Sequence, residues 1–222
     1  MCWGNKASTI SGVDEKKQRE LEENEGIQLD MGLPTLAAYK VDDSFGSVIF
    51  RLEAYVNGTL VKTQDWSYGN AFDKKGGASG FIATYFTGDG QELNSLMTIS
   101  TGKQEIQTPM DNFFKGFDVR ATTVAWFDAD DESIEIEEGK EILVSAMRLD
   151  LPGKQHLQLP SLKEIAKDQA VLNDVPFVLL LKCKFTVDSE PTISSKEMLE
   201  PHEEIEVPII PDDENVSLPD NG

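Results

Sequence analysis

Histidine and cysteine are scarce in this chain, which has two of each among its 222 residues. The cysteines, Cys2 and Cys183, are too few for a zinc site of the CxxC type. The histidines, His156 and His202, lie far apart and lack the spacing of an HExxH motif. We therefore expect no catalytic residues, no metal and no cofactor.

Motifs that bind phosphate or carry a catalytic serine are also missing. Neither GxGxxG nor GxxxxGK[ST] occurs, and residues 77–81 have Phe81 where a GxSxG elbow needs glycine. These absences favour a protein that is not an enzyme. A hydrolase on a β scaffold is the least favoured alternative, because it needs two buried, converging carboxylates.

Basic residues are few: 20 Lys and Arg stand against 40 Asp and Glu, which gives a net charge of −20. Half of this net charge lies in residues 188–222. Such a chain repels the phosphates of nucleic acids, so we expect no nucleic-acid partner. Long apolar runs are missing as well, and the sequence therefore predicts no membrane-spanning helix.

The clearest pattern that is present lies in residues 47–62. Apolar and polar residues alternate from Val48 to Val56, which is typical of a strand with one buried face. The dipeptide Asn57-Gly58 follows and predicts a type I′ turn, because both of its residues tolerate a positive φ. The cross-strand pairs predicted for a simple two-residue turn are Val56 with Thr59, Ala54 with Val61, and Glu53 with Lys62.

The rest of residues 35–187 alternates short strand patterns with turn signals, and lacks the repeating strand–helix order of parallel sheets. We predict a mainly β fold: an antiparallel β-sandwich, immunoglobulin-like or jelly-roll-like, with one short helix. That helix is predicted over Ser161–Asn173, with Ser161 as N-cap and Glu164 completing a capping box. A bulge near Thr122-Thr123 would reconcile the two faces of the strand around it.

Three regions are predicted from composition. Residues 1–34 are expected to form a polar spacer, either disordered or a solvated helix, because Asp14 to Glu25 contains one apolar residue. Residues 35–187 form the β-sandwich domain. Residues 188–222 form an acidic, proline-containing tail that we expect to be disordered.

Acidic residues cluster between Asp128 and Glu138, where the sequence predicts a solvated hairpin, with turns at Asp128–Glu132 and at Glu138-Gly139. Several carboxylates close together are also what a calcium site needs. The EF-hand pattern fails here, since Ser133 occupies the position of its invariant glycine. We expect a solvated turn, with a weak calcium site as the alternative.

Trp66, Tyr68 and Phe72 lie among polar residues and are the candidates for ligand binding. Aromatic side chains on a polar loop can serve as anchors for a partner. They can equally close the edge of the sandwich core, which we favour. The predicted partner class is an unidentified protein or cell-surface ligand, and the sequence does not define an oligomeric state.

The first residues, Cys2-Trp3-Gly4-Asn5-Lys6, and the polar stretch after them resemble the mature start of a Gram-positive bacterial lipoprotein. The resemblance implies that Met1 stands where a signal peptide precedes a lipidated Cys2. It also implies an extracytoplasmic domain anchored to the cell membrane by that lipid. The alternative is a cytoplasmic structural or accessory protein with an acidic interaction tail.

Overall fold

The computed structural model describes residues 7–13, 35–72, 77–88, 93–100, 105–109, 120–126, 133–150 and 159–191. Within these ranges the chain forms two antiparallel sheets. The six-stranded sheet contains, in spatial order, β7 (Glu105–Pro109), β6 (Leu93–Ser100), β5 (Ala78–Gly88), β2 (Thr35–Val41), β1 (Thr9–Gly12) and β9 (Ile134–Glu135). The five-stranded sheet contains β4 (Thr59–Tyr68), β3 (Ser47–Val56), β11 (Phe177–Thr186), β10 (Glu141–Asp150) and β8 (Arg120–Trp126).

One hydrophobic core takes side chains from both sheets. Tyr39 of β2 contacts Phe185 of β11, with ring centroids 5.5 Å apart, and also meets Phe72 at 5.8 Å. The predicted class, mainly β with antiparallel sheets and one short helix, is confirmed. The arrangement is consistent with a β-sandwich, and the choice between immunoglobulin-like and jelly-roll-like connections stays a prediction.

The turn of the β3–β4 hairpin is confirmed, whereas its register is not. Asn57 and Gly58 have φ values of 47° and 75°, as a type I′ turn requires, and Val56 pairs with Thr59. A bulge then shifts the strands by one residue, because Val61 has no partner on β3. The pairs beyond it are Ala54 with Lys62 and Glu53 with Thr63, so the two predicted pairs there are wrong.

A second bulge was predicted correctly. β8 pairs with β10 through Thr123 and Ala121, and the ladder passes over Thr122 between them. The residues opposite are consecutive, Arg148 and Leu149. The extra residue in β8 explains why its apolar pattern changes face in the middle of the strand.

Strand β1 lies inside the segment that composition predicted to be a spacer. It runs antiparallel to β2 on one side and to β9 on the other, with Ile10 opposite Tyr39 and Ile134. Ile10 has no exposed surface. The spacer prediction is therefore wrong for residues 9–12: a strand of four residues is too short to alter the composition of its neighbourhood.

The turn predicted at Glu138-Gly139 is present, but the strands on its two sides do not pair with each other. β9 belongs to the six-stranded sheet and pairs with β1, whereas β10 belongs to the other sheet. The turn does exist, and Gly139 has a φ of 73°. It carries the chain from one sheet to the other, and the Gly139 amide donates to the Phe185 carbonyl at 2.9 Å.

The predicted helix is present but divided. Helix α1 (Leu162–Lys167) starts with the capping box, in which Ser161 Oγ accepts from the Glu164 amide and Glu164 bonds back to the Ser161 amide. Asp168 interrupts the helix with extended dihedrals and caps a 3₁₀ helix, Gln169–Leu172. The buried residues of the two pieces are Leu162, Ile165 and Leu172, while Ala166 and Gln169 are exposed.

After β11, residues 187–191 form a strap across the ends of β3 and β4. The Asn70 amide donates to the Ser189 carbonyl at 2.7 Å. Ser47 Oγ also bonds the Asp188 carbonyl. The predicted tail, residues 188–222, therefore begins inside the strap, and residues 188–191 are part of the described fold. Its remainder, residues 192–222, lies outside the described residues.

Candidate binding surface

Two of the three predicted contact residues lie on an edge strand. Trp66 and Tyr68 are half-buried on β4, which forms one edge of the five-stranded sheet. They pair with Phe50 and Val48 of β3, so their side chains share the inner face of the sheet. The stretch from Asp65 to Lys75 is predicted as a loop or a strand leaving the sheet. Its first part, up to Tyr68, continues β4, and the aromatic residues of that part border the core.

Phe72 has a different role. It is 5% exposed, stacks on Phe185 with ring centroids 5.9 Å apart, and meets the edge of Tyr39. With Phe45, which also contacts Phe185, these rings close one end of the core. Phe72 is therefore a core residue rather than part of an exposed contact surface. This agrees with the favoured interpretation of the sequence, in which these aromatics close the edge of the core.

Tyr68 connects the edges of the two sheets. Its ring meets Phe50 edge-on at 5.8 Å, and its hydroxyl bonds the hydroxyl of Thr108 on β7. Burial raises the pKa of Tyr68, and the bond to Thr108 opposes that shift. Trp66, two residues earlier on the same face, thus lies at the border where edge strands β4 and β7 approach each other.

Edge strand β4 pairs with β3 along one of its two sides. It has ten residues, no proline, and no strand beside it on its free side among the residues that the structure describes. A free edge of this kind is a template for an added strand. The bulge at Val61 disturbs the edge near the turn, which leaves Thr63 to Tyr68 as the regular part.

The outer face of the five-stranded sheet carries two sets of ion pairs, the first around Arg51 and the second between Lys182 and Glu53. The guanidinium of Arg51 holds Asp65 through two bonds of 2.9 Å, and its Nη1 lies 3.5 Å from Glu141 Oε1. Deeper under the helical segment, Lys182 Nζ lies 2.7 Å from Glu53 Oε2. Glu53 was predicted to face solvent and Lys62, but it is 5% exposed and belongs to this second pair.

Glu53 also accepts a 2.8 Å bond from the hydroxyl of Tyr55. Burial, followed by this bond, raises the pKa of Tyr55 well above its ordinary range. Each charge of the cluster faces an opposite charge or a donor at bonding distance. These partners compensate the charges that the sheet buries.

The acidic stretch gives no metal site in the part of the chain that the structure describes. Glu135, Glu137 and Glu138 are exposed, and Glu137 pairs with Lys140. No group of three potential ligands converges within the described residues. The other acidic members, Asp128, Asp130, Asp131 and Glu132, lie outside them.

Of the two cysteines and two histidines, the structure describes only Cys183. Cys183 is buried on the inner face of β11, and burial raises the pKa of its thiol, so it behaves as a small apolar residue. Cys2, His156 and His202 lie outside the described residues. No helix in the described ranges is long and apolar enough to cross a membrane.

Comparisons of the chain with family models, with curated proteins and with solved structures found no match.

Sequence reasoning missed β1 and the Glu53–Lys182 pair. The only local signal for β1 is Thr9-Ile10, two β-branched residues shortly before a glycine. This signal is weaker than the alternation and turn residues that predict the other strands. The ion pair joins residues 129 positions apart in the sequence and depends on the pairing of β3 with β11.

Proposed function

We propose that this chain is an extracytoplasmic binding or interaction domain, held at the membrane by a lipid on Cys2, and that it is not an enzyme. Its ligand is an unidentified protein or cell-surface molecule. The observation that carries the binding part is the position of Trp66 and Tyr68, half-buried on the free edge strand β4. Large aromatic side chains on an edge strand are what strand addition uses for affinity and specificity.

The tether is supported by the residues around Cys2. Cys2-Trp3-Gly4-Asn5-Lys6 is similar to the start of a mature lipoprotein, and a lipid there supplies attachment that the acidic chain lacks. A single acyl chain binds membranes reversibly, so stable anchoring requires the several chains of a lipoprotein-type modification.

The tether is tested by expressing the gene with its natural upstream sequence in a Gram-positive host. The protein should fractionate with membranes and incorporate labelled palmitate, and Cys2→Ser should abolish both. Cys183→Ala is the matched control, because that cysteine is buried and should leave both readouts unchanged. A wild-type protein that stays in the cytosol without label contradicts the proposal and supports the cytoplasmic accessory protein.

The binding surface is tested by photo-crosslinking in the same cells. A crosslinking side chain at Gln64, on the regular part of β4, should give a defined adduct that Trp66→Ala weakens. The control position is Lys167, which is exposed on α1. Equal adducts from Gln64 and Lys167, or none from Gln64, would rule out β4 as the contact surface.

A further inference from the structure

The described part of the chain begins at one end of the sandwich and is fixed there. Ser8 is 6% exposed; its Oγ accepts from the Asp42 amide at 3.0 Å, and its carbonyl accepts from the Ile136 amide at 2.8 Å. Asp42 directly follows β2 and leads into the turn before β3. Ser8 is thus fixed to the fold at this end.

The described part of the chain also finishes at this end. The strap, residues 187–191, accepts a bond from the Ser47 hydroxyl at the start of β3 and one from the Asn70 amide just after β4. The turn Asn57-Gly58 lies at the opposite end of the same strands, beside Pro176, whose carbonyl accepts from the Asn57 amide at 3.1 Å. The two ends are separated by the length of β3, ten residues, or about 30 Å.

A lipid on Cys2 would therefore be joined to the fold by a short linker, the residues between Cys2 and Ser8, which we call the leash. Cys2 precedes the fixed Ser8 by six residues, and a fully extended chain of that length reaches at most about 20 Å. A spacer running to residue 32 would have separated the domain from its anchor much more loosely. Because β1 is part of the sheet, that slack is not available between the lipid and the fold.

We propose that the end of the domain formed by the 42–46 turn, the 137–140 turn and the strap is its membrane-facing surface, with a lipid bilayer as the partner and the Asn57-Gly58 turn directed outward. This inference rests on the proposed lipid at Cys2. The leash joins the domain at this end, so the bilayer lies within about 20 Å of it. The opposite end is farther away by the length of β3.

The charge of this end indicates that the leash alone sets the attachment. Acidic exposed side chains outnumber basic ones there: Asp43, Glu137, Glu138, Asp188 and Glu190 against Lys40 and Lys140. Anionic head groups repel such a surface within a Debye length of about 8–10 Å. The surface therefore faces the bilayer across a hydrated gap and does not dock into it.

The test measures energy transfer from two labelled positions to a head-group dye. Lipidated protein is purified from the Gram-positive host and added to preformed vesicles of phosphatidylcholine and phosphatidylglycerol that carry the acceptor lipid. Glu138→Cys and Thr59→Cys place an exposed thiol at the two ends of the domain, while the buried Cys183 stays unlabelled. The same variants with Cys2→Ser are the unanchored controls.

Transfer should be at least two-fold more efficient from position 138 than from position 59, and both signals should vanish in the Cys2→Ser controls. Vesicle-bound protein with equal transfer from both positions, or more from position 59, overturns the orientation while leaving the lipid anchor intact. Protein that carries no lipid and gives no transfer from either position overturns the proposed function, and the orientation with it.

Discussion

The two terminal segments of the described chain meet at one end of the molecule but are held there in different ways. Residues 8–12 enter between β2 and β9 and bury Ile10 completely. The strap, residues 187–191, crosses the strand ends and accepts bonds from the Asn70 amide and the Ser47 hydroxyl, and Val187 is 51% exposed. Burial of apolar surface dominates stability, and solvated hydrogen bonds add little. The first segment therefore belongs to the core, and the second is an accessory.

The largest expected difference between the two segments comes from truncating one side chain in each. Ile10→Ala removes a fully buried side chain and should lower the free energy of unfolding by about 2–5 kcal/mol. The control Val187→Ala acts on an exposed side chain and should change it by less than about 0.5 kcal/mol. Urea unfolding measures both, and equal losses would remove the distinction between core and accessory.

A second difference concerns alkaline pH, because β1 packs beside a buried tyrosine. Tyr39 pairs with Ile10, and its hydroxyl donates to the Ser100 carbonyl at 2.7 Å. Burial, with a smaller contribution from Cys183, raises the pKa of Tyr39 above its ordinary value. The unfolded chain then loses this proton first, so the stabilisation is complete below about pH 10 and declines above it.

The measurement is the free energy of unfolding between pH 8 and pH 11. One such group contributes a slope of up to about −1.4 kcal/mol per pH unit. The variant Tyr39→Phe loses a hydrogen bond at neutral pH. Above about pH 10, however, its free energy of unfolding should fall less steeply with pH than that of the wild type, by the slope that one proton contributes. Parallel curves for the two proteins would show that Tyr39 ionises equally well in the folded state.

The smallest effect concerns the strap. The nearest atoms to a Cβ placed on Gly69 all belong to Ser189 and Glu190, the closest being the Ser189 carbonyl oxygen at 2.8 Å. Gly69→Ala should therefore displace the strap at a cost of about 1 kcal/mol. In a chain that ends at Val187 the same substitution should cost nothing measurable. An equal cost in both chains would mean that the strap does not meet Gly69.

Local chemistry explains the parts of the fold that the sequence could predict. Asn57-Gly58 forms its turn because both residues accept positive φ, and the capping box at Ser161 closes within one helical turn. The inner face of β11 follows from alternation alone. None of these features depends on a distant part of the chain.

The remaining features depend on packing between distant segments. The bulge at Val61 and the burial of Glu53 require the pairing of β3 with β4 and β11. Tyr55 is buried on the outer face of the sheet, where its hydroxyl meets Glu53 and Gln169 of the 3₁₀ helix. The residue pattern of a strand does not indicate that a helical segment will cover its outer face. The candidate surface shows the same limit: Trp66 and Phe72 look alike in sequence, and only the fold separates an edge residue from a core residue.

The most direct test of this account is a pair of N-terminal deletions compared by urea unfolding. Removing residues 2–6 keeps Ser8 and β1, and the free energy of unfolding should match that of the full chain. Removing residues 2–12 deletes β1 with Ile10 and should cost several kcal/mol or prevent folding. If both deletions leave the stability unchanged, residues 8–12 are a spacer after all, and the short leash proposed for Cys2 does not exist.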